Sequence, residues 1–173
     1  MINNPNCLSI ETCNNLISFF ESNITMANKG GVGNIMELDD LEIPISIYKS
    51  DILKKGILAT FARYKEKYPL LSTNLADWDV DDVAYLMRYE PKAYYSYIHC
   101  ETDGSPNRIL AWMIYLNTIK TGGGTEFIHQ KTTLFPMAGS MYIWPASWTH
   151  MHRGVPAPNE RKYIITGWAS TII

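Results

Sequence analysis

The spacing of polar and apolar positions changes character about halfway along this chain. In the first third, Ile10, Cys13, Leu16, Ile17 and Phe20 recur at helical spacing, which places them on one stripe of an α-helix. Ser9 stands just ahead of them as an N-cap, able to accept a hydrogen bond from an unpaired amide of the first turn. A second helix is predicted over 51–67, with Leu53, Ile57, Phe61, Tyr64 and Tyr68 along one stripe and Pro69 as its stop. Between the two, ANKGGVGN (27–34) reads as a loop. It is not a phosphate-binding loop. Asn34 and Ile35 stand where that motif needs lysine and Ser/Thr, and no strand precedes it.

From about residue 83 short segments rich in aromatic and β-branched residues alternate with turn clusters. The segments are VAYLMRY, YYSYIHC, RILAWMIYLN, GTEFIHQ, TTLF, GSMYIWPA, WTHMH and RKYIITGW, separated by EPK, TDGSPN, TGGG, PMAG and GVPAPN. Many short strands at close spacing predict a sandwich or barrel. The fold expected is mostly β with N-terminal helices, built on a double-stranded β-helix (jelly-roll) core. A helical preamble over about 1–80 and a jelly-roll core over about 83–170 form a single domain, 1–173. No internal repeat, low-complexity tract or linker interrupts it.

Composition narrows the function classes. A chain of 173 residues can bury a real core, and 46% hydrophobic with 18% charged residues describes a folded globular protein. A net charge of -2 gives no basic footprint for nucleic acid. Cys7, Cys13 and Cys100 are odd in number and form no Cys-x-x-Cys pair, which argues against a disulfide framework and a zinc knuckle. The N-terminus has no basic region followed by an apolar signal core. The longest apolar run, ILAWMIYL (109–116), is too short to span a bilayer. A cytoplasmic protein is expected, with a small-molecule or peptide substrate and neither nucleic acid nor membrane as partner.

All four histidines, His99, His129, His150 and His152, fall in the β half. Residues two apart on a strand share a face, so the imidazole of His99 and the carboxylate of Glu101 can aim at one point. A further histidine from a distant strand would complete a two-histidine, one-carboxylate facial triad, which leaves three positions of an octahedral iron(II) open. His-x-Glu alone is also a common polar surface pair. Specificity comes from the order of the features around it. Tyr89 lies ten residues ahead of His99; RILAWMIYLN begins at Arg108; GGGTEF follows; then come THMHRG and Lys162-Tyr163. His150 and His152 have the same parity, so periodicity cannot choose between them.

This ordered set, over about 85–168, resembles the 2-oxoglutarate- and iron(II)-dependent dioxygenases, most closely their prolyl 4-hydroxylase-like branch. The resemblance implies that His99, Glu101 and His152 are the metal ligands and catalytic residues. It selects His152 because the family sets its distal histidine a short fixed distance ahead of a basic residue followed by an aromatic, as His152 stands ahead of Lys162-Tyr163. His150 then lines the cleft or is structural. Glu101 stands where the family usually has aspartate, so the metal or the backbone must take up one extra methylene. A carboxylate there favours hydroxylation over halogenation, which needs alanine or glycine at that place.

The resemblance further implies that Lys162 anchors the distal carboxylate of 2-oxoglutarate, as a point charge where relatives often use arginine. Tyr89 and Tyr115 would add phenol hydrogen bonds, and Thr166 would line the same pocket. Arg161, of opposite parity, faces away. The implied cofactors are Fe(II), 2-oxoglutarate as co-substrate and dioxygen. The implied reaction hydroxylates a C–H bond of a prolyl or other amino-acid or peptide substrate, coupled to decarboxylation of 2-oxoglutarate to succinate.

Outside the motif, Arg108 reads as a surface residue opening a strand, His129 as an exposed strand end, and Cys100 as core on the opposite face. Trp144, Trp148 and Trp168 read as packing, and Gly122–Gly124 as a turn. A non-catalytic or cupin-type jelly-roll protein that binds a metal or ligand is the competing reading. Lys162 with the tyrosines speaks against it, since a bare metal or sugar site needs no dicarboxylate anchor.

Overall fold

Local signals set the two long helices. The computed structural model, which describes residues 1–29, 40–103 and 105–172, places α1 at Ile10–Ser22 with the Ser9 side chain accepting from the Thr12 amide. Helix α2 spans Asp51–Lys67 and is capped in the same way by Ser50 on the Leu53 amide. Each cap satisfies an amide that a helix start leaves unpaired. Helix α2 buries Leu53, Ile57, Phe61 and Tyr64, and after Pro69 the chain makes one short helix, α3, at Leu70–Thr73. The stripe of α1 is narrower than its spacing suggests. Cys13 and Phe20 are buried, Leu16 and Ile17 pack partly, and Ile10 is exposed.

The strands among the described residues are β1 (Ile2–Asn4), β2 (Asn28–Lys29), β3 (Asp40–Ser46), β4 (Trp78–Val80), β5 (Val83–Tyr89), β6 (Arg108–Tyr115), β7 (Thr125–Phe127), β8 (Thr132–Leu134), β9 (Met141–Pro145), β10 (His152–Gly154) and β11 (Lys162–Thr171). They pair antiparallel throughout. The major sheet runs β1-β9-β6-β11-β5-β3-β2, with β4 against the end of β11; the minor sheet runs β10-β7-β8. Phe127 and Leu134 of the minor sheet pack against Met87, Tyr115, Trp144 and Ile164 of the major one. This is a double-stranded β-helix.

The other face of the major sheet carries the helices. Leu86, Trp112, Ile114, Tyr163 and Ile165 join Phe20, Ile57 and Phe61 in one apolar cluster. Gly167 makes room for that packing, since a Cβ there would lie 2.5 Å from the Trp112 indole. The alternation of each strand therefore sends one set of side chains to the helices and the other into the β-helix interior.

Four sequence expectations need correction. The first third is not only helical: β1 pairs with β9, and β3 with β5. A three-residue strand and one interrupted by Pro44 carry too little pattern to be seen without their partners. Of ANKGGVGN, Asn28 and Lys29 form β2 against β3, and residues 30–34 lie outside the described residues. Two predicted strands do not form. YYSYIHC (94–100) is irregular except for a bridge from His99 to His152. In WTHMH, Trp148–His150 is a 3-10 turn and only His152 enters a strand. The glycine turn stands as predicted, with Gly122 and Gly123 at φ +69° and +71°. Among the described residues no helix is long and apolar enough to cross a membrane.

Candidate active site

A two-way backbone bridge builds the centre of the site. The His99 amide donates to the His152 carbonyl at 3.0 Å, and the His152 amide donates back to the His99 carbonyl at 2.9 Å. The bridge ties the irregular segment to β10 and sets the two rings 4.4 Å apart, centre to centre. The Glu101 amide then donates to the Ala146 carbonyl at 2.9 Å, just past β9. Strand parity therefore does not bring His99 and Glu101 together; a bridge followed by a turn does. One ligand atom each from His99, Glu101 and His152 lie within 4.8 Å of one another. Glu101 Oε1 is 3.2 Å from His152 Nε2 and 3.6 Å from His99 Nε2.

The proton positions follow from the second nitrogens. His99 Nδ1 lies 3.0 Å from the Tyr97 carbonyl, and His152 Nδ1 lies 2.9 Å from the His150 carbonyl. A carbonyl only accepts, so each Nδ1 carries a proton and each ring aims Nε2 at the Glu101 carboxylate, the atom that can serve as a ligand once it holds no proton. This is how metal-ligating histidines are oriented. Phe127 stacks on His152 at 5.2 Å and Trp144 meets it edge-on at 5.3 Å. Burial works to raise the Glu101 carboxyl, but hydrogen bonds from His152 and His99 outweigh it and hold the group well below the usual carboxylate range. Burial works to lower His99, and the Glu101 hydrogen bond and charge reverse this to a net rise. Two Nε2 lone pairs and one ionised carboxylate oxygen are the donor set of an iron(II) facial triad, so the residues present fit that ion.

His150 stands apart from the three. Its Nδ1 is 3.0 Å from Thr149 Oγ1, and its contribution to the centre is the carbonyl that orients His152.

The trio opens into a cleft of about 850 Å³ that also reaches Tyr89 and Lys162. Sheet register fixes that end: Tyr89 pairs with Lys162 on one side and with Asp40 on the other. Lys162 is only 5% exposed, and its Nζ lies 4.4 Å from the centre of the Tyr89 ring. Burial lowers its ammonium to about 8, with the Asp40 charge working the other way. Tyr89 is buried with its hydroxyl 3.8 Å from Met87 Sδ, and burial pushes that phenol up. Tyr115 is fully buried, and its hydroxyl is 2.9 Å from Thr125 Oγ1. Thr125 lines the cleft and Tyr115 does not. Thr166 lines it as well. Arg161 turns outward, its Nε donating to Glu90 at 2.9 Å.

Residues 84–170 match the sequence profile of the 2OG-Fe(II) oxygenase superfamily, 2OG being 2-oxoglutarate. The chain belongs to this superfamily. It is a 2-oxoglutarate-dependent oxygenase, and iron(II), 2-oxoglutarate and dioxygen are its working set. No curated protein sequence matches it significantly. Among solved structures, a viral collagen prolyl hydroxylase from Paramecium bursaria Chlorella virus-1, in its 2-oxoglutarate complex, superposes with a TM-score of 0.75 at 17% identity, covering 99% of this chain and 96% of that one. A Pseudomonas putida prolyl-4-hydroxylase gives 0.72 at 16% identity, covering 99% and 92%. A Trichoplax adhaerens prolyl hydroxylase, solved with a hypoxia-inducible-factor peptide fragment, gives 0.73 at 15% identity, covering 98% and 82%. At these identities the likeness is one of fold.

The oxygenase's site also contains residues that the sequence pattern assigns to packing or to the surface. Trp168 is not mere packing: its Nε1 donates to Glu101 Oε2 at 2.6 Å. Arg108 is not a free surface residue. Its guanidinium lies 3.5 Å from the centre of the Trp168 ring and 3.9 Å from Glu101 Oε2. Cys100 lines the cleft instead of joining the core, with its Sγ 3.4 Å from Thr102 Oγ1. Asp40 and Glu42 reach the cleft from β3. Trp168 shares the parity of Lys162 and Thr166 on one strand, so that signal was available; Arg108, Asp40 and Glu42 depend on which strands become neighbours. Trp144 is buried, Trp148 exposed, and His129 exposed as its strand-end position suggested.

Proposed function

We propose that this oxygenase hydroxylates a prolyl side chain of a peptide, with His99, Glu101 and His152 holding iron(II) and Lys162 anchoring 2-oxoglutarate. The observation that carries the reading is the convergence of three ligand atoms within 4.8 Å in a cleft that also holds a buried ammonium. The peptide class is supported by the fold shared with prolyl hydroxylases, one of them solved with a peptide. We take the chain to act as one domain, in the cytoplasm, without nucleic acid or membrane as partner. Pairing of β1 near the N-terminus with β9 supports the first, and a net charge of -2 speaks against a nucleic-acid partner.

When bound, iron(II) would couple dioxygen reduction and 2-oxoglutarate decarboxylation to attack on a C–H bond. The chain's own groups prepare for it. His99 and His152 offer Nε2 because Nδ1 is committed to backbone carbonyls. Glu101 stays ionised, so the site presents one negative charge. Lys162 is desolvated, which strengthens its attraction for a carboxylate end. The Tyr89 ring lies against its ammonium, and Thr125, bonded to the Tyr115 hydroxyl, lines the same cleft. Phe127 and Trp144 cover His152 and keep water from that side of the ring. Tyr85, Tyr95 and Tyr97 give the cleft an aromatic lining against which a peptide can lie.

The test is an anaerobic titration of metal-free protein with iron(II) and then 2-oxoglutarate, followed by visible absorption. A weak charge-transfer band appearing only with both supports the assignment. Iron binding without the band removes Lys162 and its neighbours as the 2-oxoglutarate site. Incubation of the complete system with proline-containing peptides should then give a mass gain of one oxygen atom on proline. A gain on another side chain would overturn the prolyl assignment alone.

A further inference from the structure

The glutamate in the metal group brings a geometric problem. It is one methylene longer than aspartate and has one more rotor. Left loose, its carboxylate could turn both oxygens inward or swing off the centre, and ordering it costs entropy. Here the outer oxygen is held. Trp168 Nε1 donates to Oε2 at 2.6 Å, a close contact of a neutral N–H with an ionised oxygen. Arg108 adds a cation 3.9 Å from the same oxygen and stacks 3.5 Å above the indole. The other oxygen, Oε1, is the one nearest the two histidine Nε2 atoms. The backbone is fixed separately by the Glu101 and Thr102 amides on the Ala146 carbonyl.

We infer that Trp168, braced by Arg108, is a positioning residue that makes Glu101 a one-oxygen ligand. Trp168 holds Oε2 away from the ion, so that the longer side chain presents a single oxygen beside the histidines and leaves coordination positions open for 2-oxoglutarate and dioxygen. The inference rests on the proposed role of His99, Glu101 and His152, and concerns how this chain uses glutamate there.

The test uses cobalt(II) as a probe of the metal-free full chain, with affinity from calorimetry and coordination from visible absorption. Trp168→Phe keeps an aromatic ring beneath Arg108 and removes the N–H together with part of the indole. It should weaken cobalt(II) binding about 10-fold, the low end for loss of an outer partner of a metal ligand, and alter the visible spectrum. In a Glu101→Asp background the shorter arm cannot hold the indole and face both histidines. There, Trp168→Phe should change affinity less than about 2-fold, which makes the pair a double-mutant cycle. Arg108→Gln, a gentler change away from the core, should weaken binding about 3-fold in the wild-type background and not in the aspartate one.

If Trp168→Phe binds cobalt(II) as tightly as wild type, with an unchanged spectrum, the positioning role is wrong while the metal group stands. Equal losses in both backgrounds overturn it too, since Trp168 would then act through general packing. Should Trp168→Phe not fold, the Arg108→Gln pair decides by the same criterion. A wild-type chain that binds no cobalt(II) overturns the metal assignment and this inference with it.

Discussion

The two faces of the major sheet are made by the same strands and serve opposite ends. Along β11, Tyr163, Ile165 and Ala169 turn to the helices, and Ile164 and Trp168 turn to the interior of the β-helix. The helix face is closed, with Ile57, Leu86, Trp112, Ile114 and Ile165 essentially inaccessible. Its buried cation is fully answered: Arg88 reaches Glu21 at 3.1 Å and Glu90 at 3.0 Å, and the Tyr163 hydroxyl donates to the same Glu21. The cleft face also buries a cation, Lys162, but places it over a tyrosine ring, where burial lowers its ammonium to about 8 although the Asp40 charge works the other way. One face is optimised for stability. The other keeps a costly charge where a ligand can use it.

The contrast can be broken most sharply at the metal group. His152→Ala should reduce iron(II) binding and turnover to the background of the assay, while His150→Ala keeps most of both. Equal loss in the two variants would mean that the His150 side chain belongs to the centre.

Next in size is Lys162→Met. It should raise the 2-oxoglutarate concentration needed for turnover by roughly 100-fold, the worth of a charge-assisted contact, and leave metal affinity nearly unchanged. It should also stabilise the ligand-free protein at pH 7. The folded-state value of about 8 lies below the ordinary 10.5, so the unfolded chain holds the proton more tightly between those pH values. Stability from this group therefore rises as pH goes from about 8 to 10.5, and the charged form is a burden below that window. The burden is on the order of 3 kcal/mol at most. Urea unfolding at pH 7 and pH 10 should show a rise in wild type that the variant lacks; parallel behaviour would remove Lys162 as the strained group.

On the helix face, Ile57→Ala should cost about 2–5 kcal/mol of stability by opening a cavity, read as a lower unfolding midpoint, with metal affinity intact. A parallel fall in metal affinity would show that the two faces are not separable. The smallest effect belongs to Arg161→Ala. Its exposed pair with Glu90 should contribute less than about 1 kcal/mol, and 2-oxoglutarate affinity should not move, in contrast to its neighbour Lys162.

What the sequence determined by itself was set by forces acting over a few residues. Ser9 and Ser50 cap helices within one turn, and the stripe of Leu53, Ile57, Phe61 and Tyr64 buries itself as its spacing demands. At the entry to β11, Lys162 turns inward while Arg161, just ahead of the strand, turns outward. The order of His99, Glu101, His152 and Lys162 was legible because it follows a motif. The tertiary structure decided how those residues meet. His99 and Glu101 face one centre through a bridge to a strand far along the chain and an anchor on Ala146, not through strand parity. Trp168 reaches Glu101 across 67 positions of sequence, and Arg108 joins them only because β6 and β11 are neighbours. Contacts of that kind depend on which strands pair and in which register, and register is fixed by the packing of the whole sheet.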